Sequence, residues 1–555
     1  MVSSTLLSLI AAASLLLPAP VLGQRNTPVA PVARVRNGTY TGLYNPTYNQ
    51  DMFLGMPYAQ APTGGFRFRP PRGVNTTWNG TRPATAYYAE CIGYGSDDWG
   101  WADIVSEDCL ALSVIRPHGY NASANLPVLL WMHGGEYAQG GSRDPRYNIS
   151  YIVQQSVEMG SPIIGVTINY RLSAWGFIYG EELAAEGSAN MGLRDQRLAM
   201  HWVNENIRGF GGDPNGVTIW GQSSGANSVG LHLVAYSGRD DDLFRGAIAE
   251  SGSVPSLAAY MNASVAQPHY QAVVDAANCT GTPDTLACLR SMPTDALSAI
   301  FNSSVTANAG YHPVIDGDFL ATSGVIGLQT GRFARRPLLI GTNFDEGTKY
   351  APRGINTTSQ FIQMVQNNGT NHSAALTMAS LYPDDPAVGI PATLQGRPPA
   401  AYGYQWKRAA AFSGDLLMHG PRRLTSEWLA RWNVSTYVFH WNVMTEGPIN
   451  GAAHFDELAF SFHNLADLGT EIGNETTTFP QLATMMSRMW VSFVNHLDPN
   501  YNNVTNVRWP VYTAQNPHNM VFDVNRTGLA YVEPDTYRAA GIGYIMSLFG
   551  GPFDR

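Results

Sequence analysis

Six short apolar runs recur along the chain: Leu126 to Trp131, Ile163 to Ile168, Val217 to Trp220, Ala247 to Ala249, Leu338 to Ile340 and Tyr437 to Trp441. Several are hydrophobic without interruption, the pattern of strands covered on both faces in a parallel sheet. Between the second and third, Leu193, Arg197, Met200, Val203 and Ile207 mark one face of a helix of period 3.6. Strand, helix, strand is the grammar of an α/β fold. Tyr260 to Ser304 and Thr348 to Pro421 read as insertions of helices and loops on that scaffold. No repeat or low-complexity linker divides the chain, so it reads as one domain behind its N-terminal segment.

Leu6 to Leu17 form an apolar core of signal-peptide length, followed by Pro18, Pro20 and the small residue Gly23. Residues 1–23 are therefore expected to be removed and 24–555 to form the mature chain, although Met1 to Ser4 carry no Lys or Arg. The run is short of the ~18 to 20 residues a membrane helix needs, and no other stretch is long enough, so no membrane span is expected. Asn-X-Ser/Thr triplets begin at Asn37, Asn75, Asn79, Asn121, Asn148, Asn262, Asn278, Asn302, Asn356, Asn368, Asn371, Asn433, Asn474, Asn503 and Asn525, spread as surface N-linked glycans would be. The cysteines are Cys91, Cys109, Cys279 and Cys288, an even count that suits two bridges in an oxidising compartment; nearest-neighbour pairing is one of three connectivities. All this predicts a secreted, extracellular glycoprotein. There is no Cys-x-x-Cys or His-Glu-x-x-His, so no metal site is predicted. With 33 Lys plus Arg against 42 Asp plus Glu and no basic run, the charge balance argues against a nucleic-acid partner.

Chemistry enters at Val217-Thr218-Ile219-Trp220-Gly221-Gln222-Ser223-Ser224-Gly225-Ala226. A β-branched strand runs into Gly-x-Ser-x-Gly, and a helix-compatible segment follows. In such a nucleophile elbow, glycines allow a tight strand-to-helix turn that lifts the serine hydroxyl clear of the sheet. A serine hydroxyl needs a base, an acid to orient that base, and donors for the oxyanion. When acid and histidine follow the serine in the chain, the acid lies in Gly341 to Thr348, where Asp345 and Glu346 compete. The histidine is His454 in Gly451-Ala452-Ala453-His454, with His440 as its competitor. His133, His201, His232, His419 and His463 read as structural, and Asp456 and Glu457 as solvated or structural. Donors are expected from the turn Trp131-Met132-His133-Gly134-Gly135-Glu136-Tyr137, each worth about 3 kcal/mol.

Several further patterns occur together: Phe53-Leu54-Gly55-Met56-Pro57-Tyr58-Ala59, Phe66-Arg67-Phe68, Ser106-Glu107-Asp108-Cys109-Leu110, Asn169-Tyr170-Arg171-Leu172, Asp195-Gln196-Arg197, Gly211-Gly212-Asp213-Pro214 and Pro313-Val314-Ile315-Asp316-Gly317. With the elbow, they resemble the type-B carboxylesterase/lipase family, which includes cholinesterases and fungal lipase-like esterases, over nearly the whole mature chain. The resemblance implies an α/β-hydrolase fold: a large central, mostly parallel mixed sheet flanked by helices, with helical and loop insertions. It implies Ser223 as acyl nucleophile, His454 as base and acid, and Glu346 as the orienting carboxylate. It also implies oxyanion donors from the N–H groups of Gly135, Glu136 and Ser224. Bridges Cys91–Cys109 and Cys279–Cys288 and ion pairs Arg67–Glu107 and Arg171–Asp195 follow in the same way.

Three residues depart from the family pattern. Glu136 replaces a glycine, and its carboxylate is expected to turn away from the oxyanion. Gln222 replaces a glutamate before the nucleophile. Ser224 replaces an alanine, and its hydroxyl is assigned no role. Trp99, Tyr137 and Gln222 are the candidate pocket residues. Trp99 sits where cholinesterases hold choline over an indole, but packing within its loop is the preferred reading. Only 17 residues separate Cys91 from Cys109, where lipase-like relatives carry a longer mobile flap. Small dissolved esters of short or medium acyl chain are the expected substrates, with no metal or organic cofactor.

Overall fold

A computed structural model describes residues 30–95, 104–255, 260–306, 310–468, 478–551 and 553. The expected leader, Trp99 and the Asn474 triplet lie outside the described residues. Eleven strands form one large sheet: β1 (Leu43–Asn45), β2 (Gln50–Pro57), β3 (Ala111–Pro117), β4 (Leu126–Met132), β5 (Ile164–Ile168), β6 (Gly212–Gln222), β7 (Gly246–Glu250), β8 (Leu338–Asn343), β9 (Thr436–Trp441), β10 (His518–Phe522) and β11 (Ala530–Pro534). Their spatial order is β11-β10-β9-β8-β7-β6-β4-β5-β3-β2-β1. Strands β4 to β10 pair in parallel, and the edges are antiparallel. All six expected strands are present, and the fold is the α/β-hydrolase arrangement, a mostly parallel mixed sheet with flanking helices.

The continuous hydrophobic runs exist because both faces of the sheet are covered. Val128, Leu130, Met132, Ile219 and Val438 point into one core, packed by α2 (Met191–Asn206), α3 (Ser224–Val234), α4 (Trp406–Gly414) and α5 (Gly420–Arg431). Leu129, Trp131, Trp220, Tyr437, Phe439 and Trp441 alternate into the other, packed by α1 (Ser150–Glu158) and α6 (Thr478–His496). The helix read at Leu193 to Ile207 is α2. The first expected insertion holds helices Ala263–Ala276, Thr285–Ser291 and Thr294–Phe301 around a small core of their own that includes Phe68 and Trp175. The second ends sooner than its sequence suggests. From Trp406 on, α4 and α5 run together through a wide turn at Asp415–His419 and cover the sheet.

Cys91 bonds Cys109 and Cys279 bonds Cys288, with Cα atoms 5.0 and 5.8 Å apart. Arg67 and Glu107 form a buried two-pronged ion pair at 2.6 and 2.7 Å, and Arg171 and Asp195 another at 2.7 and 2.8 Å. Both pairs were expected, and removing one partner from either would leave an uncompensated buried charge. No helix among the described residues is long and apolar enough to cross a membrane.

Register aligns the carboxyl ends of the central strands. Gly221 of β6 pairs with Met132 of β4, Gln222 with Glu250 of β7, and Glu250 with Gly341 of β8. The chain leaves β4, adds β5 on one side, then returns to add β6 on the other. This reversal opens a crevice at the carboxyl ends of β4 and β6, the usual place for a ligand in an open α/β sheet.

Candidate active site

Ser223 is the residue between β6 and α3, and its backbone lies at φ 56°, ψ −125°. A non-glycine residue is held in so rare a region only by surrounding structure. Here the Ser223 N–H donates to Glu250 O at 2.9 Å and its C=O accepts from Asn227 at 2.9 Å. Gly225 makes the turn feasible, because a Cβ there would lie 2.1 Å from Met132 O. The elbow thus joins β4, β6 and β7 through their last residues.

Glu346 follows β8 by three residues and is fully buried. Its Oε1 accepts from the Ser251 hydroxyl at 2.5 Å and the Asn343 N–H at 2.8 Å, and its Oε2 meets His454 Nδ1 at 2.6 Å. The competitor Asp345 faces elsewhere: it accepts the Ala452 N–H at 2.9 Å and so holds the loop that carries His454. Burial pushes Asp345 up to about 6. Asn343 closes the frame by donating to Ala453 O at 2.5 Å and to Glu457 at 2.6 Å. Asp456 and Glu457 are buried supports rather than solvated groups; Asp456 accepts the Ala453 N–H at 2.9 Å. Burial pushes Asp456 up to about 8, and burial with the Glu346 charge pushes Glu457 up to about 7.

Charge separates His454 from the other histidines. Burial opposes its imidazolium, but the Glu346 charge and hydrogen bond, with Glu457 and Glu136 beyond, outweigh it and raise its pKa above the ordinary value. The other six named histidines shift the opposite way, all chiefly by burial. His133 falls to about 4 while stacking on Tyr170, ring centroids 4.4 Å apart. His440 stacks on Phe344 at 3.6 Å with Glu533 on its Nδ1, so its ring is engaged away from the Glu346 carboxylate.

The His454 Nε2 faces the Gln222 side-chain amide at 3.2 Å. Among the described residues no hydrogen bond joins Ser223 Oγ to that ring. Tyr350 touches both, edge-on to His454 with centroids 5.1 Å apart and its phenol interacting with the Ser223 side chain. Burial holds the phenol well above its usual range, helped by the charges of Glu346 and Glu136.

The turn after β4 faces the elbow. No acceptor among the described residues takes up the N–H groups of Gly135, Glu136 or Ser224, which leaves them free for an oxyanion. Glu136 and Tyr137 sit at φ 59° and 60°, a strain that explains why a glycine suits position 136. The Glu136 side chain is solvent-exposed, yet its charge still reaches His454 and Tyr350. The Ser224 hydroxyl, assigned no role from sequence, accepts the Tyr137 N–H at 3.2 Å and ties the turn to α3. The Tyr137 hydroxyl donates to Asn227 at 2.9 Å inside the core, so this pocket candidate is a buried brace.

Sequence reasoning missed Ser251, Asn343, Tyr350, Glu457 as a partner, and Gly347. A Cβ at Gly347 would lie 1.9 Å from Ala410 O of α4, so the acid's turn needs glycine to dock. Glu250-Ser251 directly after a strand, and Gly347 and Tyr350 directly after Glu346, were the available signals. No cluster of three metal-ligating side chains occurs among the described residues.

An elbow serine, a carboxylate-bound histidine and unpartnered amides at the carboxyl ends of one parallel sheet define the α/β-hydrolase class of esterases. The profile of the carboxylesterase family matches residues 29–536, and the chain belongs to that family as a carboxylic ester hydrolase. Lipase 4 of Diutina rugosa is 34% identical, with 92% of this chain and 95% of that protein covered. Secreted lipase 1 of Botryotinia fuckeliana is 33% identical over 88% of this chain and 90% of its own length. The crystal structure of Aspergillus niger EstA matches with TM-score 0.82 at 28% identity, covering 95% of this chain and 99% of that one.

Proposed function

We propose that this protein is a secreted serine ester hydrolase in which Ser223, His454 and Glu346 work as a triad. The reading rests above all on the 2.6 Å contact of His454 Nδ1 with buried Glu346, beside an elbow serine. Ser223 Oγ attacks the ester carbonyl while His454 Nε2 takes its proton. The tetrahedral oxyanion is met by the N–H groups of Gly135, Glu136 and Ser224. His454 then protonates the leaving alcohol, and water repeats the cycle to release the acid from Ser223. Gln222 must first yield the Nε2 lone pair, an adjustment in keeping with looser catalytic contacts in unliganded enzymes. Labelling with a fluorophosphonate probe tests the assignment: wild type should bind one equivalent and lose activity, and Ser223→Ala should take up none. Labelling of Ser223→Ala at the wild-type rate would move the nucleophile elsewhere.

The physiological substrates are proposed to be dissolved esters of short or medium acyl chain. The 17 residues between the bridged Cys91 and Cys109 leave little material for a large lid. The names of its relatives support a second reading, a lipase, since several are lipases and one from Gibberella zeae is a secreted triacylglycerol lipase. Rates on emulsified long-chain triglyceride and on dissolved short-chain esters separate the two, and a clear preference for the emulsion would establish the second. Relatives named as secreted, two disulfides and the glycosylation triplets support residues 1–23 as a leader and 24–555 as a single extracellular catalytic domain.

A further inference from the structure

A surface groove of about 1350 Å³ lies between the start of α6 and the loops around residues 500–507 and 528–529, with no residue of the elbow among its lining. It exceeds the ~300 to 1,000 Å³ of ordinary small-ligand clefts and contains no ionisable side chain among its described lining residues. Its floor is apolar, with Met485, Val507 and Leu529; its rim is neutral and polar, with Gln481, Asn503 and Asn506. Those three rim side chains are exposed, and none makes a hydrogen bond among the described residues. Uncharged amides above an apolar floor suit a carbohydrate, whose hydroxyls seek hydrogen bonds while its ring C–H faces seek apolar surface.

The groove also contains its own attachment point. Asn503-Val504-Thr505 is a glycosylation triplet, and Asn503 is a lining residue held at φ 58°. The turn is built by Asn502, whose side-chain oxygen accepts the Val504 and Thr505 N–H groups at 3.0 and 3.2 Å, while the Thr505 hydroxyl accepts from Val507 at 3.1 Å. The Asn503 amide is left free beside the groove. Asn37 is the opposite case: its Nδ2 donates to both Val74 O at 3.3 Å and Thr76 O at 2.9 Å, so both amide hydrogens are committed.

We propose that Asn503 carries an N-linked glycan whose inner sugars lie in this groove and cover its apolar floor, and that Asn37 stays unmodified in the folded protein. The inference rests on the secreted reading above. Site occupancy is read by peptide mass spectrometry after enzymatic deglycosylation of protein secreted from a eukaryotic host, with exposed Asn79 as reference. Asn503 should be occupied, and its glycan should be released from native protein about tenfold more slowly than that of Asn79, the difference vanishing after denaturation. Asn503→Asp, which tolerates the left-handed backbone, should raise hydrogen exchange at Val507 and Leu529 several-fold without changing ester turnover. Occupied Asn79 with bare Asn503, equal native release rates, or exchange unaltered by Asn503→Asp would each overturn the groove assignment while leaving secretion intact. Absence of glycan from every triplet would instead overturn the secretory reading beneath it.

Discussion

Protonating His454 creates a cation 2.6 Å from Glu346 and in reach of Glu457 and Glu136. The raised pKa means the base form is lost, and kcat/KM falls, as pH drops through a value above the ordinary ~6.5 of a histidine. Glu346→Gln removes the counter-charge, so the acid limb of the pH–rate profile should move down. Its amide can also present the wrong atom to Nδ1, so kcat should fall about a thousandfold or more. An acid limb left in place would deny Glu346 this role. The Ser224 hydroxyl makes a smaller and separate contribution. Ser224→Ala keeps the backbone N–H proposed for the oxyanion but leaves the buried Tyr137 N–H without its acceptor. Loss of ~1 to 3 kcal/mol is expected by denaturant unfolding, and an unchanged midpoint would give that N–H another partner.

Elements bring these groups together through contacts that leave no room for a side chain. Gly225 meets Met132 O and Gly347 meets Ala410 O, at 2.1 and 1.9 Å for an added Cβ, and in both cases the obstacle is backbone rather than a movable side chain. Gly225→Ala and Gly347→Ala should each cost several kcal/mol and abolish ester turnover, Gly347→Ala by shifting Glu346 with its turn; soluble, fully active protein in either case would show that the turn can relax. The central strands were legible because two-sided burial writes them as unbroken apolar runs. Edge strands were not: β2 opens with Gln50 and Asp51, and Asp51 is buried against Arg116 of β3, opposite it at 3.0 Å, and His118 at 2.7 Å. α4 and α5 were obscured in the same way. Arg422 and Arg423 are buried against Asp535 at 2.5 and 2.8 Å, a partner more than a hundred positions away that no helical periodicity reveals. Ser223, His454 and the Glu346 segment were legible because the elbow and strand ends have local signatures. Gln222 facing His454, and Ser224 bonding Tyr137, depend on distances between loops and became visible only in three dimensions.

Across the whole molecule, two populations of groups held neutral by burial, histidines and carboxyl groups, have opposite effects on stability. Burial lowers His133 to about 4 and carries His232 and His419 well below the ordinary value. Unfolding lets them take up protons, so their neutral burial becomes less costly as pH rises from about 4 to 6.5. Burial also raises carboxyl groups: Glu90 to about 7, Glu457 to about 7, Asp456 to about 8, and Glu250 well above the usual range. The folded chain holds protons on these groups that the unfolded chain has already released, so their contribution is full below the unfolded carboxyl pKa and declines as pH rises toward the folded values. The two populations oppose each other below pH ~6.5, and above it only the carboxyl groups, joined by His454 as it loses its proton, continue to act. Stability should therefore fall between pH ~6.5 and 8 by about 1.4 kcal/mol per pH unit for each excess proton the native state holds. Calorimetric melting temperatures across that range should decline, and Glu457→Gln, which removes one titrating carboxyl while keeping an acceptor for Asn343, should make the decline shallower. Melting temperatures that rise toward pH 8 would mean that the buried carboxyl groups are ionised in the folded protein.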